Sequence, residues 1–197
     1  MRILEQSDAD FICLQEVIQN FSDLILSQKW VQDKYYVSRH EMYTWYGVMI
    51  LSKWPCKFYQ YNFCEQSRMG RSLFLAETVI NGEPFVVSTV HLESMASAPY
   101  RKAQMEISFP ILKLFNNSML MGDFNFDSSW KNEQACIDPG FDDIFLTLNN
   151  GQESFTMPAS GGFPRSRLDK IVVNKSSSCK PESISIICQF PIPSCAG

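Results

Sequence analysis

The chain is short of histidine: two occur in 197 residues, His40 and His91. Its seven cysteines, at 13, 56, 64, 136, 179, 188 and 195, are odd in number and include no C-x-x-C pair. These scarcities argue against an ordinary zinc site, which takes His and Cys ligands at short spacings. They fit thiols kept reduced in an intracellular compartment, nucleus or cytoplasm, with Cys13 packed as a small hydrophobe. Long apolar runs are also missing. No segment approaches the ~20 residues that cross a bilayer, and "MRILEQSDAD" has no apolar signal-peptide centre. Nor is there an excess of positive charge. The formal net charge is −4 and the pI about 5.2. A chain-wide basic footprint for nucleic acid is therefore excluded. Three local basic clusters remain: Arg68 with Arg71, Arg101 with Lys102, and Arg165 with Arg167 and Lys170.

What the chain does have is material for a core. Hydrophobic residues make up 45% and charged residues 19%, which suits one globular domain over 1–197. Short apolar runs rich in β-branched and aromatic residues predict strands at "FICLQEV" (11–17), "YGVMILS" (46–52), "LFLAETVI" (73–80), "PFVVSTVHL" (84–92), "SMLMG" (118–122), "RLDKIVV" (167–173) and "SISII" (183–187). Asn81-Gly82 predicts a tight hairpin between the third and fourth, since both residues tolerate positive φ. "FSDLILSQKW" and "SAPYRKAQMEISFPILKLF" predict helices, with Pro110 kinking or breaking the second. Strands with a few interposed helices imply layered α/β packing with mixed sheets.

Four of these strands place a chemically useful polar group near the C-terminal end. They carry Glu16; His91 with Glu93; Asp123 with Asn125; and Asp169, which lies between Arg167 and Lys170. Each has a plainer reading alone: a half-exposed strand residue, a core histidine, an Asx turn, a surface ion pair. Asp127 and Asp138 fit ordinary cap or turn roles. Burying a carboxylate without a partner is costly. Several at strand ends are better explained if they meet each other or a cation.

"LQEV", "STVHLES", "GDFN" and "RLDKI", in that order, resemble the motif series of the endonuclease/exonuclease/phosphatase superfamily over about residues 3–187. Within it, the histidine of "HLES" and the segment "FTMPASGGFPRSRLDKIVV" resemble the 5′-tyrosyl-DNA phosphodiesterases. The resemblance implies a four-layered αββα sandwich of the DNase I type, with two mixed sheets face to face and helices outside. It implies Mg²⁺-dependent (or Mn²⁺-dependent) phosphodiester hydrolysis, on DNA ends in the tyrosyl branch, by a monomer that needs no membrane. Glu16 would ligate the metal, as hard cations take oxygen ligands and keep waters. Asp123 would orient and deprotonate the attacking water, with Asn125 holding water or phosphate. His91 would stabilise developing phosphoryl charge. Asp169 would orient a second histidine. Arg71 is a candidate phosphate contact. Phe163, Arg165 and Arg167 are candidates for a stacking and phosphate-contacting wall for a single strand.

Two elements of the family pattern have no counterpart here. The Asn that ends the family's first strand would precede the chain. The final S-D-H motif is replaced by "CQFPIPSCAG". The expectation is a chain truncated at both ends, missing terminal strands, with greatly reduced or no hydrolase activity. Competing readings are an inactive relative that binds nucleic acid or protein, and an RNA or phospholipid phosphodiesterase on the same scaffold. The short Lys53-Trp54-Pro55 piece is no membrane-facing hairpin and argues against the lipid branch.

Overall fold

Val, Ile, Leu and Phe favour extended backbone where a pleated surface is covered, and they set the sheets here. The computed structural model describes residues 1–38, 46–152, 154–159 and 162–187. The N-terminal part runs α1 (Arg2–Ser7), β1 (Phe11–Val17), α2 (Gln19–Leu26), α3 (Lys29–Lys34), β2 (Tyr36–Val37) and β3 (Gly47–Ser52). Its strands form an antiparallel sheet in the order β1-β3-β2. The rest runs β4 (Lys57–Asn62), β5 (Ser72–Ile80), β6 (Glu83–His91), α4 (Ala98–Leu112), β7 (Asn117–Asp123), α5 (Lys131–Gln134), β8 (Phe141–Asp143), α6 (Ile144–Leu148) and β9 (Asp169–Asn174). Those strands form a mixed sheet in the order β4-β5-β6-β7-β9-β8, with β6 and β7 parallel across the α4 crossover.

Three apolar clusters define the layers. Ile12, Val17, Met49 and Leu51 of the first sheet pack with Ile25 of α2 and Val31 of α3. Val48, Ile50, Phe74 and Ala76 meet between the two sheets, beside Cys13. Leu73, Val86, Val90, Leu120 and Val172 of the second sheet pack with Met105, Phe109 and Leu112 of α4. Burying a side chain of this size contributes about 1.5–3 kcal/mol. The result is the expected αββα sandwich. Burial pushes the Cys13 thiol up to about 12, which makes it an inert packing group.

The predicted hairpin forms at Asn81 and Gly82, with φ of 53° and 83°. Elsewhere the structure departs from expectation. "FSDLILSQKW" is two helices, because Ser27 Oγ and Gln28 Nε2 both donate to the Leu24 carbonyl and Gln28 is extended. Helix α4 continues through Pro110 to Leu112. In the last turn a proline removes only one intrahelical bond. Residues 183–187 join no strand; half-buried Ile184 and Ile186 instead line a cavity of about 280 Å³ with Gln15, Met121 and Ile171. Alternating apolar residues look the same whether or not a ladder forms. Strand β4 escaped the sequence reading because it is an edge strand with mostly exposed residues, so no apolar run marks it. The segment "CQFPIPSCAG" lies outside the described residues.

Candidate active site

Register brings three of the expected residues side by side. His91 pairs with Asp123 across β6 and β7, and Asp123 pairs with Asp169 across β7 and β9. All three stand at one mouth of the sheet, where β6 and β7 end and β9 begins; Asp169 opens its strand instead of ending it as expected, because β9 runs antiparallel to β7. Gly122, with φ of 142°, is required by this approach: a Cβ would be driven into the Val90 carbonyl oxygen of β6. Just past the strand, Asn125 turns left-handed at φ 55° and its N–H donates to Asp123 Oδ1 at 2.8 Å. The Asx turn and the site are thus one feature.

The side chains gather into one cluster. Arg71 Nη1 lies 2.9 Å from His91 Nδ1, and His91 Nε2 lies 3.4 Å from Asp123 Oδ2. Asn125 Nδ2 donates to the Leu92 carbonyl at 2.9 Å and to Ser94 Oγ at 3.2 Å. Arg71 Nη2 donates to the same Ser94 Oγ at 2.8 Å. Its guanidinium also covers the Tyr46 ring, 4.8 Å from the centroid. Ser94 ends "HLES", and its place as the joint between Arg71 and Asn125 depends on long-range contacts that local spacing does not reveal. Glu93 is fully buried and holds the Arg71 loop. It accepts from Ser67 Oγ, the Arg68 N–H and Gln104 Nε2. Ser67 Oγ in turn accepts from the Arg71 N–H.

The electrostatics differ across the cluster. Burial, then the charge of Arg71, holds the His91 imidazole down at about 3, so it is neutral near neutral pH. Burial, then the negative charge of Asp169, pushes Asp123 up to about 6; Glu16 adds in the same direction. A carboxylate at that value is poised as a general base near neutral pH.

Glu16 reaches this neighbourhood through a β-bulge. The β1–β3 register shifts between Leu14 and Val17, and Glu16 takes a left-handed φ of 56°. Bulges re-aim side chains in this way, and Glu16 is exposed. Beside it, Gln15 Nε2 donates to Thr89 Oγ1 at 2.8 Å and stitches the sheets together. Among the described residues no three His, Cys, Asp or Glu side chains form a closed metal cage. What the site offers is exposed and half-buried carboxylates whose charges repel at Asp123. Such hard oxygen donors suit a cation like Mg²⁺, which binds through one or two carboxylates and keeps its waters.

The wall residues divide. Phe163 is 64% exposed, and the exposed Arg165 lies over the Phe155 ring at 4.2 Å. Both sit on the loop before β9. Arg167 is 1% exposed and turned into the fold, paired with Asp143 at 2.6 Å and covering the Phe145 ring. It is not part of the exposed face. Among the described residues His91 is the only imidazole, so the second histidine that Asp169 was expected to orient is not among them.

A carboxylate, an imidazole, an amide and an arginine thus stand together at the mouth of a four-layered sandwich. Residues 1–188 match the Endonuclease/Exonuclease/phosphatase family, and the chain belongs to it. Solved structures similar in fold include D. rerio TDP2 complexed with a single-strand DNA product (TM-score 0.76, 19% identity, 91% of this chain and 76% of that one). Truncated Caenorhabditis elegans TDP2 is similar (0.72, 22%, 87% and 73%), as is Sphingomyelinase C from Streptomyces griseocarneus (0.66, 18%, 90% and 76%). At these identities the likeness speaks of fold alone. No curated protein matches the chain. No helix among the described residues is long and apolar enough to cross a membrane.

Proposed function

We propose that the chain hydrolyses phosphodiesters at DNA ends, 5′-phosphotyrosyl DNA in particular, with Mg²⁺ or Mn²⁺. The observation that carries the hydrolytic reading is the cluster Arg71–His91–Asp123–Asn125–Ser94 at the mouth of the sheet. Asp123 accepts a proton from the attacking water, and Asn125 fixes the carboxylate through its N–H. The neutral imidazole of His91 donates to a phosphoryl oxygen as charge develops there. Glu16 would hold the cation, with the charge of Asp169 drawing it to the same mouth. The cation supplies charge neutralisation at the phosphate. Phe163 and Arg165 offer a stacking and charged face to a single strand.

A second reading has its own support. The exposed Phe163 and Arg165 on the loop before β9 fit a module that binds nucleic acid without cleaving it. The experiment is single-turnover hydrolysis of a 5′-phosphotyrosyl oligonucleotide with enzyme in excess, alongside poly(A) and sphingomyelin. Cation-dependent release of tyrosine from the oligonucleotide supports the proposal. Binding without release favours the second reading, and preferential cleavage of poly(A) or sphingomyelin overturns the choice of substrate.

A further inference from the structure

Arg71 was expected to meet substrate phosphate, but its surroundings give it another task. It is 5% exposed, and its two terminal nitrogens are occupied by His91 Nδ1 and Ser94 Oγ. A guanidinium can only donate. The ring nitrogen 2.9 Å from Arg71 Nη1 must therefore carry the lone pair. The imidazole's single proton is then on the opposite nitrogen, Nε2.

We propose that Arg71 is a positioning residue that locks His91 in the Nε2–H tautomer, leaving that N–H as the donor facing the mouth of the site. Asp123 Oδ2 lies 3.4 Å from Nε2, beyond a good hydrogen bond. The Nε2–H thus remains available for an incoming phosphoryl oxygen. The cationic partner also opposes protonation of the ring, in keeping with the low value at His91. Three supports hold Arg71 in place. Its N–H donates to Ser67 Oγ at 2.8 Å, Ser67 is held by buried Glu93, and Tyr46 covers the guanidinium. The second ring nitrogen's partner sets which nitrogen carries the proton, as with any functional imidazole. Here the partner is a donor rather than the usual carboxylate or carbonyl, so it selects the opposite tautomer.

The inference rests on the proposed function only for the use made of the Nε2–H. Its test needs no substrate, so the two can fail separately. With two histidines in the chain, ¹⁵N-histidine labelling and long-range ¹H–¹⁵N correlation near neutral pH resolve both rings. His40→Gln assigns His91. The expected pattern for His91 is a fully protonated Nε2 and an unprotonated Nδ1. In Arg71→Met the two nitrogen shifts should move toward each other as Nδ1–H becomes populated. A wild-type ring protonated at Nδ1, or at both nitrogens, overturns the proposal whether or not the variant folds. A folded Arg71→Met with an unchanged pattern also overturns it.

Discussion

Replacing Asp123 by asparagine should raise the stability of the chain while removing its chemistry. The folded protein holds this carboxyl at about 6, against an ordinary 3.8, chiefly through burial and then through the charge of Asp169. Between those values the folded state keeps a proton that the unfolded chain has released. Stability therefore falls as pH rises through about 4 to 6 and stays lowered above that window. At about 1.4 kcal/mol per pKa unit the full cost is about 3 kcal/mol. The side chain is 23% exposed, so solvent screening brings the expected range to about 1–3 kcal/mol. The substituted amide carries no charge at any of these pH values, and its carbonyl oxygen can keep the bond from the Asn125 N–H, now 2.8 Å. Urea unfolding with chelator present should place Asp123→Asn above wild type by about 1–3 kcal/mol at about pH 7.5, and level with it at about pH 4. Mg²⁺ should then raise the wild-type midpoint more than the variant's, because it relieves repulsion that the amide has already removed. A variant less stable than wild type near neutral pH, or a gap that does not change with pH, would refute the reasoning.

Gly122→Ala should prevent folding, or cost several kcal/mol, because the new Cβ meets the Val90 carbonyl and the residue holds a φ of 142°; circular dichroism and thermal melting would read this out. Arg167→Met strands the Asp143 carboxylate, which is 6% exposed at its side chain, and should lower unfolding stability by about 3–5 kcal/mol. A change confined to DNA binding would instead return Arg167 to the substrate face. Phe163→Ala, at a 64% exposed position, should leave the melting temperature essentially unchanged. It should weaken single-strand binding by about 1–3 kcal/mol in a fluorescence titration if bases stack there.

The sheets were legible in the sequence because apolar runs mark strands covered on both faces, as in "GVMILS" and "FVVSTVH". Strand β4 was not, since Lys57, Tyr59 and Tyr61 of an edge strand carry no such run. The meeting of His91, Asp123 and Asp169 could be anticipated from their positions at strand ends, but their pairing depends on register, which local patterns leave open. Arg167 shows the opposite limit. Beside Arg165 and Lys170 in the sequence it reads as surface charge, yet Asp143 and Phe145, at the junction of β8 and α6, draw it inside. The joint at Ser94 and the support from Glu93 arise from contacts with residues 67–71, 104 and 125, which no local spacing encodes.

The central claim is that Asp123 activates water in a cation-assisted cleavage of a phosphodiester. It is tested most directly by the single-turnover rate on a 5′-phosphotyrosyl oligonucleotide, wild type against Asp123→Asn, with Mg²⁺ and with chelator. The account predicts a slow but measurable wild-type rate that chelator abolishes. It also predicts a fall of about 100-fold or more in the folded variant. Cleavage that survives chelation, or that Asp123→Asn leaves intact, would contradict it.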